Sequence, residues 1–155
     1  MRLWRLSIGA FAQVFDGGYG LRFAGRWNSV GRPVTYAATS PSLCILEKLV
    51  HVEDPMLLPD LTMTRYDVPA DIAISRRDLA DLPDDWRQRE SLTQAHGDEW
   101  LDSLAAPLLL VPSVVASFDS SADLNALINH RHPDVARITI DATFPFEFDP
   151  RLLSA

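Results

Sequence analysis

Arg26, Tyr36, Glu47 and Ser113 are the residues whose types and settings can carry chemistry in this chain of 155 residues. Arg26 stands between Gly25 and the pair Trp27-Asn28. A guanidinium binds phosphate or carboxylate in bidentate fashion, and a small residue before it lets the backbone approach a ligand. The alternative is a surface arginine stacked on Trp27. Tyr36, in VTYAA, presents its ring either to a planar ligand or to the core, with its hydroxyl satisfied internally. Glu47 interrupts an apolar helix whose narrow polar stripe is Cys44, Glu47, Lys48 and His51. A helix this apolar should be mostly buried. The stripe faces either water, with Glu47 paired to His51, or a pocket suited to acid–base or cation-stabilising chemistry. Ser113 interrupts LLLVPSVVASF, and its hydroxyl needs a backbone, water or ligand partner.

The elements that must position these residues are mostly short. Met1 to Ile8 alternates as a strand, with Leu3 and Leu6 in the core. Residues 16 to 31 hold five glycines and read as a loop with some turns at positive φ. Pro33 to Ala38 is a strand. Ser40-Pro41 opens a helix that runs to about Val52 and stops before Pro55. Leu57 to Val68 is extended, and Asp71 to Arg89 is polar surface chain. Ser91 to Leu104 is a second helix, weakened by Gly97. Ala106 to Phe118 is a buried strand pair or a strand broken near Pro112, where a bulge or edge is expected. Asp123 to Asn129 reads as a short helix or turn, Arg137 to Asp141 as a strand, and FPFEFDPRLL as a terminal arm. Strands mixed with a few helices, without regular βαβ alternation, make the class α+β, in one domain over 1–155.

Composition excludes several functions. A net charge of -7 repels nucleic acid phosphates and anionic membranes over any broad surface. One cysteine, Cys44, permits no intrachain disulfide or cysteine-based zinc site. The opening MRLWRLSIGAFAQVF has no cleavable signal pattern, and no run suits a membrane span, so the expected location is cytoplasmic. His130-Arg131-His132 falls at a turn before Pro133, which argues against a metal site. The run Arg89-Glu90-Ser91 lies in polar chain and takes no role.

The blocks, taken in order, resemble the RES-domain family, the toxins of Xre/RES toxin–antitoxin pairs. They are LWRL, GRWNSVGRPVTYAA, SPSLCILEKLVH, HGDEWL, LLLVPSVV, LNALINHRHPD and FPFEFDPRL. The family's arginine falls on Arg26, its tyrosine on Tyr36, its glutamate on Glu47 and its serine on Ser113; an early arginine falls on Arg5. Some relatives carry a double glycine where this chain has Ala24-Gly25. The resemblance implies a compact ADP-ribosyltransferase-like fold with a split mixed or antiparallel sheet and a few short helices. It implies NAD as substrate, bound by Arg26, Tyr36, Ser113, Arg5 and Asn28, with no metal. It also implies an Xre-type antitoxin as partner and no direct contact of the toxin with DNA.

In that reading Arg26 holds phosphate or ribose oxygens and Tyr36 stacks on or lines the nicotinamide side. Glu47 stabilises the cationic ribose or orients its hydroxyls or the incoming nucleophile, and Ser113 binds ligand or positions Glu47. The chemistry is coherent by itself, because nicotinamide leaves as a neutral molecule and one fixed carboxylate can suffice. Three outcomes stay open: cleavage of NAD with water or phosphate as acceptor, ADP-ribosylation of a protein, and a non-catalytic nucleotide- or antitoxin-binding module. An RNA-cleaving activity does not fit the acidic surface.

Overall fold

The computed structural model describes residues 1–153. Seven strands form the sheet: β1 (Arg2–Ile8), β2 (Val34–Ala38), β3 (Leu61–Asp67), β4 (Ile74–Arg76), β5 (Leu108–Val111), β6 (Asn125–Asn129) and β7 (Thr139–Phe146). Four α-helices accompany them: α1 (Gly18–Arg22), α2 (Pro41–Leu49), α3 (Glu90–Ser103) and α4 (Pro150–Leu153). The strand order is β4-β5-β6-β2-β1-β3-β7. Among the described residues only β4 and β5 pair in parallel, and α3 lies in the crossover between them, as a parallel pair requires. The other pairings are antiparallel.

β1 and β2 meet in register at one pair, Trp4 with Ala38, whereas β1 and β3 pair along their whole length. The sheet is thus nearly divided into β4-β5-β6-β2 and β1-β3-β7. This is the expected split sheet, still joined at a single rung. Side chains alternate across the sheet. One face carries Leu3, Ala37, Tyr66, Leu108, Leu110, Ala126 and Ile128, packed as one core. On the opposite face, Trp27, Trp86, Trp100 and Leu101 cover Val34, Leu109, Val111 and Leu127. Next to them Leu43 and Cys44 of α2 lie on Ala38 and Met63.

Several local expectations hold. Ser40 caps α2 by accepting from the Leu43 amide at 3.2 Å, with Pro41 in the first turn. Gly17 and Gly31 have φ of 69° and 102°. Other expectations are corrected. The glycine-rich segment contains α1 rather than loop alone. Asp123 to Asn129 is not a helix or turn: its last five residues form β6, inserted between β2 and β5. Leu and Ala in LNALIN favour helix locally, but two flanking strands satisfy that backbone better. Likewise β7 continues through Phe144, Pro145 and Phe146, so part of the presumed arm is strand. Pro145 is tolerated because β7 lies at the sheet edge. Pro112 creates no bulge; it follows the end of β5, an interior strand.

Candidate active site

Arg26, Trp27 and Asn28 lie in a loop that α3 holds from one side. Thr93 Oγ1 donates to the Arg26 carbonyl at 2.7 Å, and Gln94 Nε2 to the Gly25 carbonyl at 3.0 Å. The Ser29 amide donates to Asp98 Oδ1 at 2.9 Å. Gly97 lies between these anchors, and a Cβ there would sit 1.7 Å from the Trp27 carbonyl oxygen. By propensity alone Gly97 only weakens the helix. The packing shows why it is there: the loop backbone lies directly on α3.

Tyr36 braces the same loop from the sheet. Its hydroxyl accepts from the Trp27 amide at 2.9 Å and donates to Asn28 Oδ1 at 2.7 Å. Burial pushes its phenol above the ordinary tyrosine range, so the donating proton stays in place. Asn28 is wholly buried, and its amide nitrogen donates to the carbonyls of Phe23 and Ser29. It therefore shapes the loop from within. Gly25 leaves room for this brace: a Cβ there would meet Tyr36 Oη at 2.6 Å and Asn28 Oδ1 at 2.7 Å. The small residue admits the tyrosine hydroxyl, which is a different reason from the ligand approach expected.

Arg26 does not stack on Trp27. Its guanidinium lies 5.5 Å from the centroid of the Trp86 ring, within cation–π range. Its Nη2 donates to the carbonyls of Trp86 and Arg87 at 2.6 and 2.8 Å. Its Nε is sealed from solvent without a partner. The described residues thus fix this guanidinium through carbonyls, with no carboxylate among them paired to it and one N–H short of an acceptor.

Glu47 anchors a second cluster. Glu47 is half-buried and turned to the sheet. Glu47 Oε1 accepts from Ser113 Oγ and from Asn125 Nδ2, both at 2.7 Å, rather than pairing with His51. Glu47 Oε2 accepts nothing from the described residues and is not sealed from solvent. Ser113 is fully buried; its Oγ accepts from the amides of Val115 and Ala116 at 3.0 and 3.1 Å, so its proton is directed at Glu47. The helix itself is less buried than expected, since Leu46 and Val50 are exposed. Burial pushes the Cys44 thiol up to about 12, and its Sγ donates to the Trp4 carbonyl at 3.0 Å. That thiol is inert packing rather than a nucleophile.

Strand register relates the two clusters. Tyr36 lies opposite Leu127 and Ala38 opposite Asn125. Tyr36 and Asn125 are therefore diagonal neighbours on one face, roughly 7–8 Å apart by usual sheet geometry. An open hollow of about 410 Å³ is bordered by Arg76, Arg77, Pro112, Ser117 and Leu124; Pro112 and Leu124 precede Ser113 and Asn125 in the chain, but Glu47 does not line it. Arg5 is not brought to this face. It alternates with Trp4 and points with Leu3 toward the opposite side, where Nη2 donates to the Phe11 carbonyl at 2.6 Å. Its guanidinium lies 5.9 Å from the Tyr66 ring centroid. Asn125 was not singled out in the sequence, where an asparagine beginning an apolar run signals only a turn or cap.

Comparison with known proteins agrees with this architecture. A Toxin Res of Pseudomonas putida is 40% identical over 149 residues, covering 94% of this chain and 97% of its own length. The Prs ADP-ribosylating toxin of a Sphingobium species is 31% identical, covering 97% of this chain and 95% of its own. Among solved structures, the crystal structure of the M. tuberculosis MbcT-MbcA toxin-antitoxin complex contains a chain that superposes with a TM-score of 0.70. That match has 19% sequence identity and covers 94% of this chain and 83% of the other. At that identity the likeness speaks for the fold alone, and the α+β expectation holds at that level. The RES domain family model matches residues 2–149, a span that contains both clusters, and the chain therefore belongs to the RES domain family.

Proposed function

We propose that this protein is the toxin of a toxin–antitoxin pair and that it consumes NAD by cleaving the nicotinamide–ribose bond, with water or phosphate as acceptor. The observation that carries the reading is the Glu47 carboxylate. Two donors hold Oε1, while Oε2 is left for a ligand. As the N-glycosidic bond breaks, its electron pair leaves with the nicotinamide nitrogen and positive charge builds on the ribose. A fixed carboxylate lowers the energy of that state more than the ground state. The leaving group needs no proton, so no second carboxylate is required. Oxygen of water or phosphate then bonds to the ribose carbon, and a proton is released to solvent.

Arg26 supplies charge for the dinucleotide's phosphates, and Tyr36 holds the loop that presents it. Incubating purified protein with NAD tests the reaction. Nicotinamide should appear with ADP-ribose, or with a phosphorylated ADP-ribose when phosphate is supplied, without cell extract. The name of the Sphingobium relative favours a second reading, transfer of ADP-ribose to a protein. Nicotinamide release that is negligible until extract is added, with labelled ADP-ribose on one protein band, would replace the first reading by the second.

An Xre-type antitoxin is the proposed partner, silencing the enzyme by covering or distorting the pocket. Wild type should be poorly tolerated alone and tolerated with its antitoxin, while Glu47→Gln is tolerated alone. Equal harm from wild type and Glu47→Gln would detach toxicity from NAD chemistry.

A further inference from the structure

Asn125 is the first residue of β6, and its backbone pairs with Ala38 on one side and Val111 on the other. That register turns its side chain to the face covered by α2. Ala38 beside it carries only a methyl, which leaves room for the amide to reach the helix. An amide can donate to a carboxylate only through its nitrogen, so the orientation follows from the partner. The Nδ2 to Glu47 Oε1 distance is 2.7 Å, as expected for a charge-assisted bond. Ser113 alone would leave the carboxylate free to swing about a single contact. The second donor comes from a different strand and removes that freedom. Both donors converge on the same oxygen, so the other one has a defined direction.

We infer that Asn125 is a positioning residue: with Ser113 it clamps Oε1 of Glu47 and thereby presents Oε2 to the ribose of the bound dinucleotide. The inference rests on the NAD reading for what Oε2 meets; the clamp itself does not. Preorganisation matters because a carboxylate that must first rotate into place does not stabilise developing charge at the moment it forms. A purely structural role, in which Asn125 tidies the junction of α2 and β6, makes different predictions.

The experiment compares wild type, Asn125→Ala, Asn125→Asp, Glu47→Gln and the double variant Asn125→Ala/Glu47→Gln by nicotinamide release, with excess enzyme so that slow rates are readable. Asn125→Ala should lower kcat about 30-fold with KM for NAD within about two-fold, less than the roughly hundred-fold or more for loss of a donor that touches the developing charge itself, because Asn125 acts through Glu47. Asn125→Asp should lose more, because it replaces the donor with a like charge. In the Glu47→Gln background, Asn125→Ala should change the rate by less than about two-fold, because its effect passes through the carboxylate. A crystal structure of Asn125→Ala should show the Glu47 carboxylate rotated or in more than one rotamer, with Ser113 in place. Failure of wild type to release nicotinamide would remove the NAD reading and leave the crystal structure to decide the clamp. A Glu47 side chain unmoved in Asn125→Ala, a kcat near wild type, or an equal loss in both backgrounds would overturn the inference.

Discussion

The two halves of the site are built differently. Around Arg26 nearly every polar group is spent on the protein. Asn28 is enclosed, the Tyr36 hydroxyl both donates and accepts, and α3 holds the backbones of Gly25, Arg26 and Ser29. Around Glu47 the bonds fall on a single carboxylate oxygen, and the second oxygen is unclaimed. The first half is a rigid mount for one cation. The second is a carboxylate held by one edge. Rigidity suits binding, where a guanidinium must be fixed before the ligand arrives. An open, oriented oxygen suits chemistry, where the interaction should strengthen as charge develops.

The contrast breaks most sharply at Glu47. Glu47→Gln is nearly isosteric but removes the charge, so nicotinamide release should fall about a thousand-fold while the melting temperature holds. A near wild-type rate would move the chemistry elsewhere. On the other half, Gly97→Ala should act through the fold rather than the reaction. The added Cβ would collide with the Trp27 carbonyl, so α3 and the loop must separate, at a cost of about 3 kcal/mol. Thermal unfolding measures it, and an unchanged melting temperature would mean that loop and helix are not in such close contact.

Arg26→Ala should raise KM for NAD about a hundred-fold, more than it lowers kcat, as expected for loss of a hydrogen-bonded charge contact. Arg26→Lys should recover only part of this, because lysine lacks the planar guanidinium, whose Nη2 meets both the Trp86 and Arg87 carbonyls while its other N–H groups keep their direction. Full recovery in the lysine variant would reduce Arg26 to a point charge. The smallest effect expected is that of Tyr36→Phe. It leaves the Trp27 amide and Asn28 Oδ1 without the hydroxyl, for about 1–2 kcal/mol of stability, and raises KM through the loosened loop. A variant with unaltered stability and a reduced kcat would instead assign the hydroxyl to the reaction.

Much of the site was legible in residue types. A glutamate inside an apolar helix, and a serine after Pro112 in the most apolar stretch, each needed a partner, and they proved to be partners of each other. The helix start at Ser40-Pro41 was legible because capping is local. β6 was not legible: LNALIN has no alternation strong enough to outweigh its leucines and alanine, and its strand state comes from pairing with two neighbours. Without the β6 pairing, nothing local places Asn125 beside Glu47. Arg5 shows the converse. Its type suited a phosphate contact, but alternation along β1 directs it to the face away from Tyr36.

By itself, the order of residues determined which groups are available: a guanidinium, a phenol, a carboxylate and a hydroxyl, on a chain too acidic for nucleic acid. Those properties are covalent and local. Only the tertiary structure decided which of them meet. Glu47, Ser113 and Asn125 are separated by 66 and 78 residues from helix to partner, and a strand register brings Asn125 to the helix that carries Glu47. The free direction of Oε2 and the enclosure of Asn28 are likewise set by packing between distant segments, because hydrogen-bond geometry depends on where two pieces of backbone come to rest and not on either piece alone.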